Sequence, residues 1–215
     1  MIIAVDGPAA SGKGTLARRI ARELGYAYLD TGKLYRAVGM TVLRRGGDPS
    51  DAVAAESAAR ALDPDMLEDP ELSGDEAALA ASKVSAIPAV RAVLLEMQRT
   101  FAAQSPGAVL DGRDIGTVVC PHADIKLYVI ASDEIRAQRR HKELLDRGKA
   151  SIYARVLQDL KERDARDSGR SVAPMKPAED ATVLDTTRLD AEAAFAAAMD
   201  LISAAAARAG GLAGQ

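Results

Sequence analysis

Cysteine is nearly absent from this chain. The single residue, Cys120, excludes an internal disulfide and any cysteine-built zinc site, and after Val118 and Val119 it reads as a small apolar filler. Long apolar runs are missing too. No stretch reaches the roughly 18 uninterrupted apolar residues of a membrane span. The N-terminus runs straight into a strand-like segment, so no cleavable signal peptide is expected and the chain reads as cytoplasmic, with no membrane partner. There is no basic surplus: 28 Lys and Arg face 31 Asp and Glu, which argues against a general nucleic-acid binder. An Asn-Lys-x-Asp element, with which GTPase switches recognise guanine, does not occur. No internal repeat is visible and no apolar surface stripe calls for a partner, so a monomer is expected. What remains is a chain of 215 residues, enough for one well-buried domain with an insertion.

The clearest signal is near the N-terminus. Ile2 to Val5 form a short β-branched run suited to a strand buried on both faces. Gly7-Pro8-Ala9-Ala10-Ser11-Gly12-Lys13-Gly14-Thr15 follows. Glycines let successive N–H groups turn toward a polyphosphate, and the first turn of the next helix adds free N–H groups and the positive end of its dipole. Lys13 then reaches the β- and γ-phosphates. The generic motif places Ser or Thr directly after the lysine; here Gly14 intervenes and the hydroxyl arrives at Thr15, an ending similar to that of small nucleoside monophosphate kinases.

Leu16, Ala17, Ile20 and Leu24 recur at helical spacing and Gly25 stops that helix. Tyr26 to Leu29 is a second strand, ending in Asp30-Thr31-Gly32-Lys33-Leu34-Tyr35-Arg36. In a doubly wound sheet such a polar cluster lies at the functional edge. Thr31 serves equally as a plain helix N-cap, Lys33 reads as exposed, and Arg36 alone reads as a surface arginine. Residues 37–100 are expected to form a helical excursion: Ala52 to Leu62, an acidic surface loop over 63–76, Ala77 to Ala86, and a helix from Pro88 with Val90, Val93, Leu94 and Met97 inward and Arg91 elsewhere. The strand from Ala108 ends in Asp111, with Gly112-Arg113-Asp114 beyond it. A strand-end aspartate beside a phosphate loop suits Mg²⁺ held through water, or turn formation before glycine. Ile125 to Ile130 is a strand; Ser132-Asp133 caps a basic helix over Glu134 to Arg147; a second helix covers Ser151 to Arg166, with Ile152, Val156 and Leu160 at four-residue spacing. If that helix continues, Arg163, Arg166 and Arg170 share a face, though the acidic neighbours Glu162, Asp164 and Asp167 allow a plain salt-bridged helix. Thr182 to Asp185 is the last strand, Ala191 to Ala207 a closing helix, and the Gly-Gly-Leu-Ala-Gly tail reads as disordered. Five strands alternating with helices call for an α/β fold with a parallel sheet covered on both faces.

Jointly the motifs resemble the bacterial cytidylate kinases. The matching stretches are Ile3 to Thr15, Leu29 to Gly32 with Leu34-Tyr35-Arg36, Ala81-Ser82 with Val90-Arg91, Leu110-Asp-Gly-Arg-Asp-Ile-Gly-Thr-Val-Val119, Lys161-Glu-Arg-Asp164, Arg166-Asp167, Arg170 with Val172-Ala-Pro174, and Val183-Leu-Asp185. The resemblance implies a three-layer P-loop kinase fold: a core of 1–36 and 101–215, a lid of about 139–170, and a CMP-binding part at 37–100. It implies ATP-dependent phosphorylation of CMP and dCMP, with another small-acceptor kinase (UMP/CMP, adenylate or shikimate-type) as the alternative. Gly7 to Thr15 would hold ATP, with Mg²⁺ at Thr15 and Asp111. Arg36, Arg113 and Arg170 would hold the acceptor phosphate, Arg163 and Asp167 would lie near sugar and lid, and Ser82, Arg91 and Asp114 would read cytosine. Thr31 and Tyr35 count among the substrate-binding residues, and Lys13, Arg113, Arg163 and Arg170 as catalytic. Between Leu62 and Ser82 most relatives carry a longer segment with strand-like pieces and a Gly-Glu-Asp turn followed by arginine. Here it is short and acidic, so the small sheet of that part is expected to be reduced or missing.

Overall fold

The computed structural model describes residues 1–212. Five strands, β1 (Ile2–Asp6), β2 (Ala27–Asp30), β3 (Ala108–Gly112), β4 (Ile125–Ile130) and β5 (Thr182–Asp185), form one sheet in the order β2-β3-β1-β4-β5. Every pairing is parallel, with Asp30 beside Asp111 and Asp6 between Gly112 and Tyr128. β1 is central, which explains why its apolar run is unbroken: Ile3, Ala4 and Val5 are fully buried. Alternation sends Ile3 and Val5 toward α1 (Lys13–Leu24) and α8 (Ala191–Leu212), where they meet Leu16, Ile20, Ala198 and Ile202. Ala4 points the other way, into a cluster with Ala102, Leu110, Ile115 and Val119. With helices on both faces this is the three-layer P-loop kinase fold.

The strands' carboxyl ends share one edge, and the long connections rise above it. Between β2 and β3 lie α2 (Thr31–Arg44), α3 (Ala52–Arg60), α4 (Asp75–Val84) and α5 (Pro88–Ala102), joined by a core of Leu34, Val38, Val42, Ala58, Val84, Val90 and Leu94. Among the described residues this connection contains no strand, as the shortened segment predicts. The acidic segment is not the featureless loop expected over 63–76. Two 3₁₀ turns, Pro64–Glu68 and Pro70–Ser73, each start on an Asp-Pro step whose carboxylate accepts the N–H two residues on (Asp63 from Asp65, 3.0 Å; Asp69 from Glu71, 2.8 Å). Leu72 is buried against Ala37, Met40 and Ala77. Lys33 is likewise not free: its Nζ donates to the Leu67 carbonyl at 3.1 Å.

Between β4 and β5, α6 (Asp133–Asp146) and α7 (Tyr153–Ser168) pack through Ala137, Leu144, Val156 and Leu160 onto Ala9 of the phosphate loop. Ile152, grouped with Val156 and Leu160 by spacing, is 67% exposed and sits at the N-cap of α7, outside the packed face. α7 stops at Ser168, so Arg170 lies past its end. α8 takes in the first three residues of the tail, Gly210 to Leu212; the rest of that tail lies outside the described residues. Among the described residues no single helix is long and apolar enough to cross a membrane.

Candidate active site

A cavity of about 870 Å³ opens over the carboxyl edge of β1, β2 and β3, roofed by α4, α6 and α7. Its floor on the β1 side is the phosphate loop. Gly7 has φ +147°, and a Cβ there would lie 2.1 Å from the Val129 carbonyl oxygen, so no side chain fits where the loop leaves the sheet. Three side chains pull the loop's carbonyls outward: Arg136 Nη1 donates to Ala9 O (3.1 Å), and Arg139 Nη1 (3.1 Å) and Thr186 Oγ1 (3.0 Å) donate to Ser11 O. That leaves the inner side to the free N–H groups of the first turn of α1. Ala9, Ala10, Lys13 and Gly14 line the cavity. Burial, then the neighbouring Arg113, lowers the Lys13 ammonium well below the lysine range, so the site favours an anion that would restore its charge.

The opposite wall is cationic. Asp167 is 1% exposed and receives three guanidiniums: Arg113 through Nε (3.0 Å), Arg163 through Nε (3.8 Å), and Arg170. Burial opposes ionisation, but Arg113, Arg170 and Arg163 hold the carboxyl below the usual range. Three cations against one anion leave two formal positive charges, the complement of a phosphate monoester dianion. Arg163 is lowered to about 10 by burial and by Arg113. Arg36 reaches in from α2, its Nη2 2.7 Å from Asp30, so it is no isolated surface arginine. Nε of Arg36 and Nε of Arg163 are buried without a hydrogen-bond partner, as is Asp111 Oδ1, and all three residues line the cavity. Orphaned polar atoms gathered around one cavity mark a place where a polar ligand belongs.

Deeper between α4 and α5, Arg91 and Asp114 form a buried ion pair, with Arg91 5.5 Å from the Tyr35 ring centroid. As the spacing set it apart from the apolar face of α5, Arg91 stands outside the core cluster of Val90 and Leu94 and, 7% exposed, lines the cavity instead. Burial pushes the Asp114 carboxyl up while Arg91 draws it down. Tyr35, Arg91 and Asp114 line the cavity, but Ser82 does not; its buried Oγ accepts from Arg166 Nε at 3.2 Å, just behind the wall.

A phosphate-binding floor, an arginine ring and a buried carboxylate pocket in one cavity agree with the family comparison. The family model described as "Cytidylate kinase" matches residues 3–204. The chain belongs to the cytidylate kinase family. Curated relatives named cytidylate kinase include one from Paramagnetospirillum magneticum, 63% identical over 204 residues, covering 94% of this chain and 97% of the relative. Another, from Rhodospirillum rubrum, is 63% identical over 207 residues with the same two coverages. A third, from Methylocella silvestris, is 58% identical over 205 residues, covering 95% of both. Among solved structures, an uncharacterized protein from Eubacterium ventriosum superimposes with a TM-score of 0.56 at 12% identity, covering 94% of this chain and 98% of that one, and shares the fold alone.

The sequence points to Mg²⁺ at Thr15 and Asp111. Among the described residues no cluster of three or more acidic, His or Cys side chains forms a protein cage. Asp111 does fit a cation held mainly by phosphates and water. Its Oδ1 is buried and partnerless, and a Cβ at Gly14 would lie 3.0 Å from its Oδ2, so the glycine that replaces the usual hydroxyl residue makes room for this carboxylate. Burial, then neighbouring Asp30, raises the Asp111 carboxyl well above the usual range, so it is underprovided with positive charge. Thr15 lies exposed on the first turn of α1 and off the cavity wall.

Thr31 is not the N-cap of α2. Asp30 is, accepting from Lys33 N at 3.2 Å, while Thr31 Oγ1 donates to Asp111 O at 2.7 Å and ties β2 to β3 at the cavity's edge. Sequence reasoning overlooked Asp30 and Ser85 and gave Arg166 no role. Burial opposes it, yet Arg36 and Lys13 keep Asp30 below the usual carboxylate range. Ser85 Oγ accepts from Arg170 Nη2 at 2.7 Å and its carbonyl from Arg91 Nη1 at 3.3 Å, linking the arginine cluster on Asp167 to the Arg91–Asp114 pair. The available signals were Asp30 at a strand end, as with Asp111, and Ser82-x-x-Ser85 on one helix.

Proposed function

We propose that this protein transfers the γ-phosphoryl group of ATP to CMP and dCMP, giving ADP with CDP or dCDP. An oxygen of the acceptor phosphate bonds to the γ-phosphorus as the bond from that phosphorus to the β,γ-bridging oxygen breaks. No covalent enzyme intermediate is needed, because the work is positioning and charge cancellation. The observation that carries this reading is the convergence of Arg113, Arg163 and Arg170 across the cavity from Lys13.

In this assignment Gly7 to Thr15 hold ATP and Lys13 takes the β- and γ-phosphates. Arg36, Arg113 and Arg170 hold the acceptor phosphate, each guanidinium able to offer two parallel N–H groups. Arg163 and Asp167 lie near the sugar, with Thr31 and Tyr35 shaping the edge of the site. Asp114 accepts the exocyclic amine of cytosine and Arg91 offers donors for N3 and O2, with Ser82 behind the wall acting through Arg166. Uracil would set a carbonyl against Asp114. Asp111 would hold Mg²⁺, which would offset charge on the donor phosphates; Thr15, expected alongside it, lies off the cavity wall. The core is 1–36 with 101–215, residues 37–100 are the acceptor-binding part, and about 139–170 close over ATP and exclude water. We read the chain as a monomeric cytoplasmic enzyme acting on free nucleotides, the mildly acidic balance arguing only against general nucleic-acid binding. ATP-dependent turnover across CMP, dCMP, UMP, AMP and shikimate tests the reading. CMP and dCMP should lead by at least about tenfold over UMP, and comparable rates on AMP or shikimate would overturn it.

A further inference from the structure

Asp6 ends β1 directly before the phosphate loop, yet it turns away from that loop. Its carboxylate is 5% exposed and accepts two backbone N–H groups, Ile115 on Oδ1 and Gly116 on Oδ2, both at 2.8 Å. These groups open a single π-helical turn, Ile115–Val119, that begins one residue after Asp114. The Asp114 carbonyl closes the turn on itself by accepting from Val118 N (2.9 Å) and Val119 N (3.2 Å). At the far end Arg99 of α5 donates from Nε to Val119 O (3.0 Å) and from Nη2 to Val118 O (3.1 Å).

The turn is therefore clamped by a carboxylate at its amino end and a guanidinium at its carboxyl end, each opposite in sign to the partial charge of the backbone groups it binds. The same helix that supplies Arg99 supplies Arg91, the partner of Asp114. Gly7, next to Asp6, sits so close to the Val129 backbone that no side chain fits there. Asp6 thus ties the point where the loop leaves the sheet to the turn that follows Asp114. Burial pushes its carboxyl up to about 6, so ionised Asp6 is held against the pull of its surroundings, as befits a residue kept for position more than for stability.

We infer that Asp6 and Arg99 are positioning residues for cytosine recognition: clamping the Ile115–Val119 turn from both ends, they fix where the Asp114 carboxylate meets the base. The inference rests on the reading of Asp114 as the acceptor of the cytosine amine. Neither residue touches substrate, so their loss should move the acceptor constants and spare the donor.

The test is steady-state kinetics with CMP, UMP and ATP on Asp6→Asn, Arg99→Gln and Arg99→Lys, with Asp114→Asn as reference. Asn keeps one acceptor but sets an NH₂ against the second N–H. Asp6→Asn should raise KM for CMP on the order of tenfold and cut the CMP-to-UMP ratio of kcat/KM by a similar factor, leaving KM for ATP within about twofold. Arg99→Gln, on an exposed side chain, should give about threefold in the same direction, and Arg99→Lys should recover part of it. An unchanged CMP-to-UMP ratio in both Asp6→Asn and Arg99→Gln, with Asp114→Asn losing it, would overturn the positioning role alone. KM for ATP rising as far as KM for CMP would also overturn it, because it would make the clamp a general support. If Asp114→Asn itself keeps the ratio, the reading of Asp114 falls and this inference with it. If Asp6→Asn does not fold, the two Arg99 variants decide.

Discussion

The donor floor and the acceptor wall face each other across one cavity but are built in opposite ways. The floor is nine consecutive residues, Gly7 to Thr15, whose useful groups are backbone N–H groups held by a tight turn and the start of α1. The wall is side chains from distant elements: Arg36 on α2, Arg91 on α5, Arg113 and Asp114 after β3, Arg163 and Asp167 on α7, and Arg170 beyond it. Backbone groups cannot be rearranged without refolding the loop, so the floor is rigid and generic to any polyphosphate. Guanidiniums on long side chains can regroup, and in this structure Asp167 gathers three of them in the region where an acceptor phosphate would sit. Rigidity on one side and adjustable charge on the other suits an enzyme that grips a common donor and selects among acceptors.

The largest expected break comes from the one floor residue that acts through its side chain. Lys13→Ala should lower kcat by about a thousandfold or more, since it removes charge stabilisation on the transferring phosphoryl group. Its melting temperature should stay near the parent's, because Lys13 is only half-buried and its loss leaves no cavity in the packed core. A fall in kcat of less than tenfold would remove it from the reaction. On the wall, Arg170→Met should weaken CMP binding by about a hundredfold, as a charged bidentate partner and its contact with Ser85 disappear together, while ATP binding stays within about twofold. The smallest effect belongs to the roof. Arg140 of α6 pairs with Asp75 at the start of α4, and Arg147 Nη1 donates to Ser73 O at 3.1 Å, so the lid rests on the acceptor part. Asp75 is 65% exposed, and such a pair is worth less than about 1 kcal/mol. Arg140→Gln should raise KM for both nucleotides, each by less than about fivefold, because the lid serves both halves.

The same contrast explains what the chain revealed when read as a sequence. The floor was legible because spacing, strand and helix lie in one contiguous stretch, and Asp111, Arg113 and Asp114 were legible because strand ends carry function in this architecture. Arg36, Ser82, Arg91 and Arg170 were not legible from spacing. An arginine on a helix has the same local pattern whether it faces water or a site; resemblance to a family supplied what periodicity could not. Asp6 and Arg166 bind partners far away in sequence, so no local pattern marks them; Asp30 and Ser85 carried only the weak signals of a strand end and of helical spacing to Ser82. Leu72 escaped because one buried leucine inside the second Asp-Pro turn makes no period, and Ile152 misled because four-residue spacing runs on into the cap of α7.

The division between floor and wall is tested most directly by isothermal titration of ATP and of CMP, each alone, into the parent, Lys13→Ala and Arg170→Met proteins. The account predicts a crossed pattern: Lys13→Ala loses affinity for ATP and keeps that for CMP, and Arg170→Met does the reverse. Parallel losses of both nucleotides in either variant would contradict it.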